Sequence, residues 1–215
     1  MTSLDVGTAA TFPEWSVLNN AIVDRRAKVA DAGKRLRAFY SDAGIGNWAL
    51  WLASSASDFV AADLLDELPG FRRDTTTLVM QAAISERRHF DTRIVRTSIA
   101  TATRASEDPV PRIQLDEPAA GDEVEGWVLV EDDLAVSGAW SLIHDGDCGI
   151  YSVGTVSRWR RRGYARALVE GILDDAFRRE ASTSSLQSTR EAQSLYAAVG
   201  FRPAGRYEEW IPVDS

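Results

Sequence analysis

The chain has 215 residues, with 32 acidic residues against 24 basic ones and a formal net charge of −8 at pH 7. This balance disfavours partners such as nucleic acid or an anionic membrane surface. The single cysteine, Cys148, excludes an internal disulfide, and the two histidines, His89 and His144, lack companions at metal-ligand spacing. Without a basic-and-apolar leader or a long apolar run, the chain is expected to be cytoplasmic, with no metal and no membrane partner.

The N-terminal part of the chain is predicted to form a small α/β module. Apolar residues recur at helical spacing in its first stretch, and shorter apolar runs bounded by Gly, Pro and Ser indicate strands. The predicted elements are a mostly helical stretch from Trp15 to Tyr40, a strand at Trp48–Leu52, a helix from Ser57 or Asp58 to Leu68, and a strand from Thr75 to about Ala83.

The middle of the chain gives weaker signals. Residues 93–102 fit a strand or a helix, and residues 107–125, rich in Pro, Asp and Glu, are predicted to be a solvated connection. A boundary is expected near residues 84–90. We therefore predict two domains, an N-terminal module over residues 1–85 and a second domain over residues 86–215.

The C-terminal half is predicted to be a three-stranded antiparallel meander followed by alternating helices and strands. The meander strands are separated by short acidic turns, and a long amphipathic helix follows them. The predicted elements are strands at 127–130, 134–142 and 149–156, a helix with apolar residues from Leu168 to Phe177, a strand at Ser184–Thr189, a helix at Arg190–Val199 and a strand at Gly205–Ile211.

An arginine-rich turn separates the last meander strand from the long helix. Five arginines occur within the nine residues Arg158–Arg166 of an otherwise acidic protein. A turn that enters a helix presents unpaired backbone N–H groups, the helix dipole favours an anion there, and arginines add bidentate donors. Gly163 allows a sharp turn or a close approach. The pattern indicates a polyphosphate site; the alternative is a solvated basic run.

Two ordered motifs in this half resemble the GNAT acyltransferase superfamily. The first is Arg160-x-x-Gly163-x-Ala165, which matches the family's phosphate-loop pattern of Arg or Gln, two residues, Gly, one residue, then Gly or Ala. The second is the strand from Leu186, a helix carrying Tyr196, and then Gly200-Phe201. Together they cover about residues 126–211. Ser157 stands where many relatives have proline.

The resemblance implies a mixed α/β (α+β) fold with a mostly antiparallel, splayed sheet flanked by helices, and acetyl-CoA or another acyl-CoA bound where two strands diverge. It also implies cofactor-binding roles for Val153, Thr155, Val156, Arg158, Arg160, Arg161, Arg162, Gly163, Tyr164, Ala165, Arg166 and Ser188. In the implied reaction, an amine attacks the thioester, a backbone N–H near Gly154 stabilises the oxyanion, and a hydroxyl protonates the departing thiolate. The acceptor would be a small-molecule or peptide amine. A homodimer is compatible with the sequence.

Tyr196 occupies the family position of that hydroxyl, and its other role would be a packed aromatic beside Leu195 and Val199. No residue is identified as the base. Six residues are available by position: Glu131, Asp132, Asp133, Tyr151, Glu208 and Glu209. Three tryptophans, Trp127, Trp140 and Trp210, are expected either to line an acceptor pocket or, more often for large aromatics, to pack in the core.

The region before Gly126 departs from the family, because the helices that usually form the acceptor floor are replaced by a short acidic stretch. A weak internal echo, Pro69-Gly70-Phe71-Arg72 against Val199-Gly200-Phe201-Arg202, fits a degenerate half-repeat and fits equally well two helices that each stop at glycine before a packed Phe. Besides an active N-acyltransferase, the sequence leaves open a non-catalytic acyl-CoA-binding regulatory module. Nucleic-acid binding is disfavoured by the net charge.

Overall fold

The computed structural model describes residues 1–11, 19–23, 29–55, 68–118 and 123–213. Within these ranges the strands are β1 (Thr2–Leu4), β2 (Gly7–Ala9), β3 (Asn20–Val23), β4 (Ala49–Ser55), β5 (Phe71–Ala83), β6 (Ile94–Thr97), β7 (Val110–Pro111), β8 (Val124–Glu131), β9 (Leu134–His144), β10 (Asp147–Thr155), β11 (Thr183–Ser188) and β12 (Arg202–Pro212). The helices are α1 (Val29–Asp42), α2 (Ile99–Glu107), α3 (Tyr164–Arg178) and α4 (Gln193–Val199).

The chain divides into two compact units, residues 1–79 with 204–215 and residues 80–203. The first unit therefore includes most of β12, which pairs antiparallel with β4 from Gly205 opposite Ser55 to Trp210 opposite Leu50. The second unit holds the end of β5 and all the strands from β6 to β11. The domains predicted from sequence, 1–85 and 86–215, stay a prediction.

The first unit is a sheet with the strand order β1-β2-β3-β4-β12-β5 and helix α1. Its core is aromatic: Tyr40 of α1 stacks on Trp48 at 4.5 Å between ring centroids, and Trp48 meets Phe71 edge-on at 5.6 Å. Trp210 of β12 is also fully buried in this cluster. Burial of these rings contributes to the unit's apolar stabilisation.

The second unit has the strand order β11-β10-β9-β8-β6, with β7 pairing β9. Helix α3 forms because its apolar residues recur with the helical period, and the buried face holds Leu168, Val169, Ile172, Leu173 and Ala176. Helix α2 lies close to the sheet. A Cβ on Gly138 would overlap the Ala102 carbonyl oxygen, so only glycine permits this approach.

The predicted fold class is confirmed: the molecule is mixed α/β, with mostly antiparallel strands, and β3 pairs with β4 and β10 with β11 in parallel. The meander, the long helix, the two strands after it, the short helix and the strands at Trp48–Leu52 and Thr75–Ala83 are also confirmed. Residues 93–102 contain both alternatives, first β6 and then α2.

Two sequence predictions are wrong in part. The mostly helical stretch predicted from Trp15 to Tyr40 is helical from Val29, in α1, but contains strand β3, because Asn20–Val23 pairs with β2 and β4. Tertiary pairing there overrides a short apolar period. The connection at 107–125 is not simply solvated, because Val110 is buried and β7 pairs with β9. Asp116 accepts hydrogen bonds from the hydroxyls of Ser98 and Thr101. The helix predicted from Ser57 or Asp58 lies largely outside the described residues.

Across the described residues, no helix is both long enough and apolar enough to cross a bilayer. The same residues contain no group of three or more His, Cys, Asp or Glu side chains arranged to hold a metal ion.

Candidate acyl-CoA site

Strands β10 and β11 run parallel and then separate. Their pairing extends from Asp147 opposite Thr183 to Ile150 opposite Leu186. Beyond that point β10 carries a bulge against β9 between Tyr151 and Gly154, where Ser152 has a left-handed backbone (φ 50°). A bulge bends its strand and ends regular pairing. The sheet therefore opens at the carboxyl ends of these two strands.

The opening is a cleft of about 710 Å³, which we call the strand cleft. It is bounded by the end of β10, the arginine turn, the start of α3 and the start of α4. Its lining residues are Val153, Gly154, Thr155, Trp159, Arg160, Arg161, Gly163, Tyr164, Ala165, Arg166, Thr189, Glu191, Ala192, Ser194, Leu195 and Tyr196.

The end of β10 presents backbone groups to this cleft. The Val156 N–H donates to the Val136 carbonyl on β9 at 3.0 Å, which commits that donor to the sheet. Because backbone groups alternate sides along a strand, the peptide groups of Gly154 face β9 and those of Val153 and Thr155 face the side where β11 has diverged. Of the three predicted backbone contacts, Val153 and Thr155 therefore have groups directed at the cleft.

The turn before α3 is shaped for an anion. Gly163 has a left-handed backbone (φ 84°), and a Cβ there would meet no atom within 4 Å, so the turn is open above it. The first bond of the helix joins the Ala167 N–H to the Gly163 carbonyl at 3.0 Å. The amides of Tyr164, Ala165 and Arg166 precede any such bond and belong to the set that a helix leaves unpaired, at its positive end.

The arginines of the turn do different things. Arg160 donates from Nε to the Thr155 carbonyl at 2.9 Å and so ties the turn to β10. Arg162 lies over the Trp159 ring at 4.9 Å, and Arg166 pairs with Glu170 at 2.9 Å. Arg160, Arg161 and Arg166 line the strand cleft, whereas Arg158 and Arg162 do not.

Ser188 and Val156 also lie outside the lining. The Ser188 hydroxyl is fully buried and donates to the Thr189 carbonyl at 2.8 Å. Sequence reasoning missed Trp159, Thr189, Glu191, Ala192, Ser194 and Leu195, which do line the cleft. Helical spacing to Tyr196 was a signal for Ala192 alone, which lies four residues before it, and the other five residues had no such signal.

Tyr196 lies on α4 and lines the strand cleft while only 6% of its surface is exposed. Its ring meets Phe201 edge-on at 6.0 Å. Burial raises the pKa of Tyr196 to about 12, because the charged phenolate is poorly solvated there. The side chain is thus both a packed aromatic and a protonated hydroxyl at neutral pH.

None of the six residues named as available bases lines the cleft. Glu131 pairs with Arg93, Asp132 and Asp133 form a hairpin turn, and Tyr151 is 46% exposed. Glu208 and Glu209 belong to the first unit. Among the described lining residues, Glu191 is the one carboxylate.

Two of the three tryptophans, Trp127 and Trp210, are core residues, and Trp140 is partly buried against a core cluster. Trp127 is 2% exposed and donates to the Ser141 hydroxyl at 2.8 Å, and Trp140 donates to the Thr103 hydroxyl at 3.1 Å. Trp210 is buried in the first unit. None of the three lines the strand cleft.

Residues 93–201, just over half of the chain, match the family model described as "Acetyltransferase (GNAT) family". The fold is similar to a GCN5-related N-acetyltransferase from Kribbella flavida (TM-score 0.66, 15% identity, covering 92% of this chain and 82% of that one). It is also similar to a functionally unknown conserved protein from Staphylococcus epidermidis (0.63, 13%, 100% and 94%) and to a tandem GNAT protein from the clavulanic acid biosynthesis pathway (0.53, 15%, 91% and 76%). No curated protein matches the sequence significantly.

Proposed function

Because the chain belongs to the GNAT acetyltransferase family, we propose that it transfers an acetyl or short acyl group from acyl-CoA to an amine in a ternary complex. One observation carries the proposal: the parallel strands β10 and β11 part beside a helix N-terminus flanked by arginines, and a protonated tyrosine lines the same cleft. Backbone N–H groups, helix amides flanked by arginines and a protonated hydroxyl thus surround one space, which supports acyl transfer there.

The residues present fit a coenzyme A thioester. The unpaired amides of Tyr164–Arg166, with the guanidinium groups of Arg160 and Arg161, suit a diphosphate. The cleft-facing backbone of Val153 and Thr155 suits the amides of a pantetheine arm, which would take the place of a missing strand. Acetyl-CoA, when bound, supplies an acyl group activated as a thioester. A cytoplasmic location, predicted from the single cysteine, is proposed together with this function.

Tyr196 is proposed as the hydroxyl that donates to the departing sulfur. With its pKa at about 12, Tyr196 keeps its proton throughout the neutral range. A thiolate with a pKa of about 8.5, by analogy with cysteine, leaves without full protonation. Tyr196 is therefore expected to act chiefly as a hydrogen-bond donor, and its loss should cost about ten- to a hundredfold in rate.

Deprotonation of the amine requires more help from the site than departure of the thiolate does. An alkyl ammonium with a pKa of about 10.4 is free amine to only about one part in 10³ at neutral pH. A base or a depressed amine pKa is therefore needed, and the described cleft lining supplies only the exposed carboxylate of Glu191. We assign no base. The backbone N–H of Val153, next to Gly154, is proposed to stabilise charge on the thioester oxygen.

The proposal is tested first by binding. Acetyl-CoA at about 100 times its dissociation constant should stabilise the fold by about 2.7 kcal/mol, measurable as a rise in melting temperature. Isothermal titration should then give one site per chain. Absence of any acetyl-CoA binding would rule out the assignment.

Turnover is tested with a panel of small-molecule and peptide amines, by measuring CoA release. The Tyr196→Phe variant should bind acetyl-CoA as the parent does and lose about ten- to a hundredfold in kcat. A variant with the parent's kcat would remove Tyr196 from the mechanism.

A second function is favoured by the absence of a buried carboxylate or histidine among the described cleft residues. This function is an acyl-CoA-binding regulatory module without turnover. It predicts tight acetyl-CoA binding with no amine that accelerates CoA release, so the same two measurements separate the alternatives.

A further inference from the structure

A buried pair of hydroxyls lies beneath the end of β10. The Ser137 hydroxyl, on β9, is 2.7 Å from the Gly154 carbonyl oxygen and 2.9 Å from the Thr155 hydroxyl. Ser137 is fully buried and Thr155 is 9% exposed. Buried hydroxyls are costly unless they are hydrogen-bonded, so this pair has a defined arrangement.

The direction of these bonds follows from the number of protons. Serine carries one hydroxyl proton, and a carbonyl oxygen can only accept. Ser137 therefore donates to the Gly154 carbonyl, and the Thr155 hydroxyl donates to Ser137. The two bonds form a short chain that ends on a backbone oxygen of the strand that borders the cleft.

The bond to Gly154 sets the direction of the next amide. The carbonyl of Gly154 and the N–H of Thr155 belong to one peptide group, which is planar and trans, so the two bonds point in opposite directions. Since the carbonyl points to Ser137 on β9, the Thr155 N–H points to the side where β11 has diverged. A hydrogen bond on the carbonyl also strengthens the N–H of the same peptide as a donor.

This peptide is in particular need of support. It directly follows the bulge at Tyr151–Gly154, where the regular ladder to β9 is interrupted, and no strand of the described chain pairs with its other side. A peptide with a ladder on one side only, next to a bulge, has more freedom to rotate than one inside a sheet.

We infer that Ser137 is a positioning residue for the proposed acyl-CoA site: through the Gly154 carbonyl it holds the Thr155 N–H toward the pantetheine arm. This inference rests on the proposed function. It assigns Ser137 to the binding of one part of the cofactor, the arm, and to no contact with the diphosphate.

The test compares Ser137→Ala with Ser141→Ala. Ser141 is a matched control, because it is a buried serine on the same strand whose hydroxyl accepts from Trp127 and makes no contact with the bulge. Binding of two probes is measured by isothermal titration for each variant. The probes are coenzyme A and 3′-phosphoadenosine 5′-diphosphate, which is coenzyme A without its pantetheine arm.

Ser137→Ala should weaken coenzyme A binding by about five- to tenfold, the usual effect of one lost hydrogen bond, and leave the affinity for the truncated probe unchanged. Ser141→Ala should change neither affinity. Equal loss for both probes would reduce Ser137 to a structural role, and no loss for either would overturn the inference. If the parent protein binds no coenzyme A, the proposed function itself fails.

A second variant and a spectroscopic signal keep the test independent of folding. Ser137→Cys keeps a hydrogen-bearing γ atom that donates weakly, so its coenzyme A affinity should fall between those of the parent and Ser137→Ala. In the free protein, the amide proton of Thr155 should shift in NMR spectra of Ser137→Ala, while the amides of Tyr164–Arg166 should not. An unmoved Thr155 amide would contradict the inference even where both variants fold.

Discussion

The two units arrange comparable pairs of strands in opposite ways. In the second unit β10 and β11 are direct parallel neighbours that part beyond Ile150 and Leu186 and leave one side of β10 unpaired. In the first unit β12 lies between β4 and β5 and pairs with β4 along six residues, Gly205–Trp210. A strand edge without a partner is costly unless water or a ligand uses it. Within the described residues, β10 of the second unit therefore has such an edge beside the strand cleft, whereas β12 has a strand on each side.

The turns before β5 and β12 are alike in both units. Gly70 and Gly200 each have a left-handed backbone, with φ of 80° and 109°, and each precedes a buried phenylalanine. A side chain from earlier in the chain donates to a nearby carbonyl in both cases, Arg37 to Gly70 and Arg88 to Val199. This geometry fits a degenerate half-repeat, and it also fits two independent helix ends that stop at glycine. The half-repeat stays a prediction.

The largest expected effect concerns a glycine at the close contact between helix α2 and the sheet of the second unit. Gly138→Ala should destabilise the protein by about 3 kcal/mol or more, because the new Cβ overlaps the Ala102 backbone, which cannot yield cheaply. In the first unit, Gly33→Ala meets the Phe71 ring at 2.9 Å rather than backbone and gains helix propensity, so it should cost clearly less than Gly138→Ala, about 1 to 2 kcal/mol.

Urea unfolding of the two glycine variants checks this prediction. Similar losses in both variants would show that the close approach of α2 is not the constraint.

A second prediction compares the two units through the pH dependence of stability, because each unit buries one tyrosine. Burial raises the pKa of Tyr40 and of Tyr196 from 10.0 to about 12. The folded state then holds these protons more tightly, so their contribution is fully present below pH 10 and is lost as pH rises toward 12. Each should remove on the order of 2 kcal/mol from the free energy of unfolding.

Urea unfolding at about pH 9 and about pH 11.5 measures this loss. Tyr40→Phe and Tyr196→Phe should each reduce it by about 2 kcal/mol, and the buried thiol of Cys148, whose pKa burial also raises, accounts for a further part of the loss. An undiminished loss in both variants would assign the alkaline transition to other groups.

The part of the fold that sequence alone could predict is the part with strong local periodicity. The meander, α3 and α4 follow from alternation, helical spacing and the stop at Gly200, and these same elements carry the cleft. Strand β3 could not be predicted, because Asn20–Val23 is short and its partners are distant in sequence. Nor could the placement of β12 between β4 and β5, which depends wholly on long-range pairing.

For the site, the motif predicted the position of the cleft better than it predicted the contacts of single residues. Gly163, Tyr164, Ala165 and Tyr196 line the cleft because helix geometry fixes them once α3 and α4 are placed. The sequence pattern does not distinguish the roles of the arginines. In the structure Arg162 stacks on Trp159, whereas Arg160 donates a hydrogen bond to the Thr155 carbonyl. Such choices depend on nearby partners that spacing does not specify. The role of Ser137 also required the register of β9 against β10.

The third prediction sets a cleft arginine against a first-unit arginine. Arg161→Glu should weaken acetyl-CoA binding about tenfold, because a carboxylate replaces a guanidinium at the proposed diphosphate site. Arg72→Glu, the same change at an exposed residue of β5 that pairs with Asp74, should leave the affinity unchanged. Isothermal titration at low salt gives both values. Equal losses would mean that only the net charge matters.

The smallest expected effect concerns the carboxylate among the cleft arginines. Glu191 is exposed and lines the same space as Arg160, Arg161 and Arg166, so its charge should repel a phosphate. Glu191→Gln should strengthen acetyl-CoA binding about two- to threefold at low salt, and the gain should disappear near 0.5 M salt, where the screening length is only a few ångströms.

Glu117→Gln is the matched control for this substitution, since it changes the net charge equally at an exposed position outside the cleft lining. It should leave the acetyl-CoA affinity unchanged. A loss of affinity in Glu191→Gln would reverse the argument, because a repelled anion cannot bind less tightly when the repelling charge is removed. The carboxylate would then be an acceptor for a donor on the ligand.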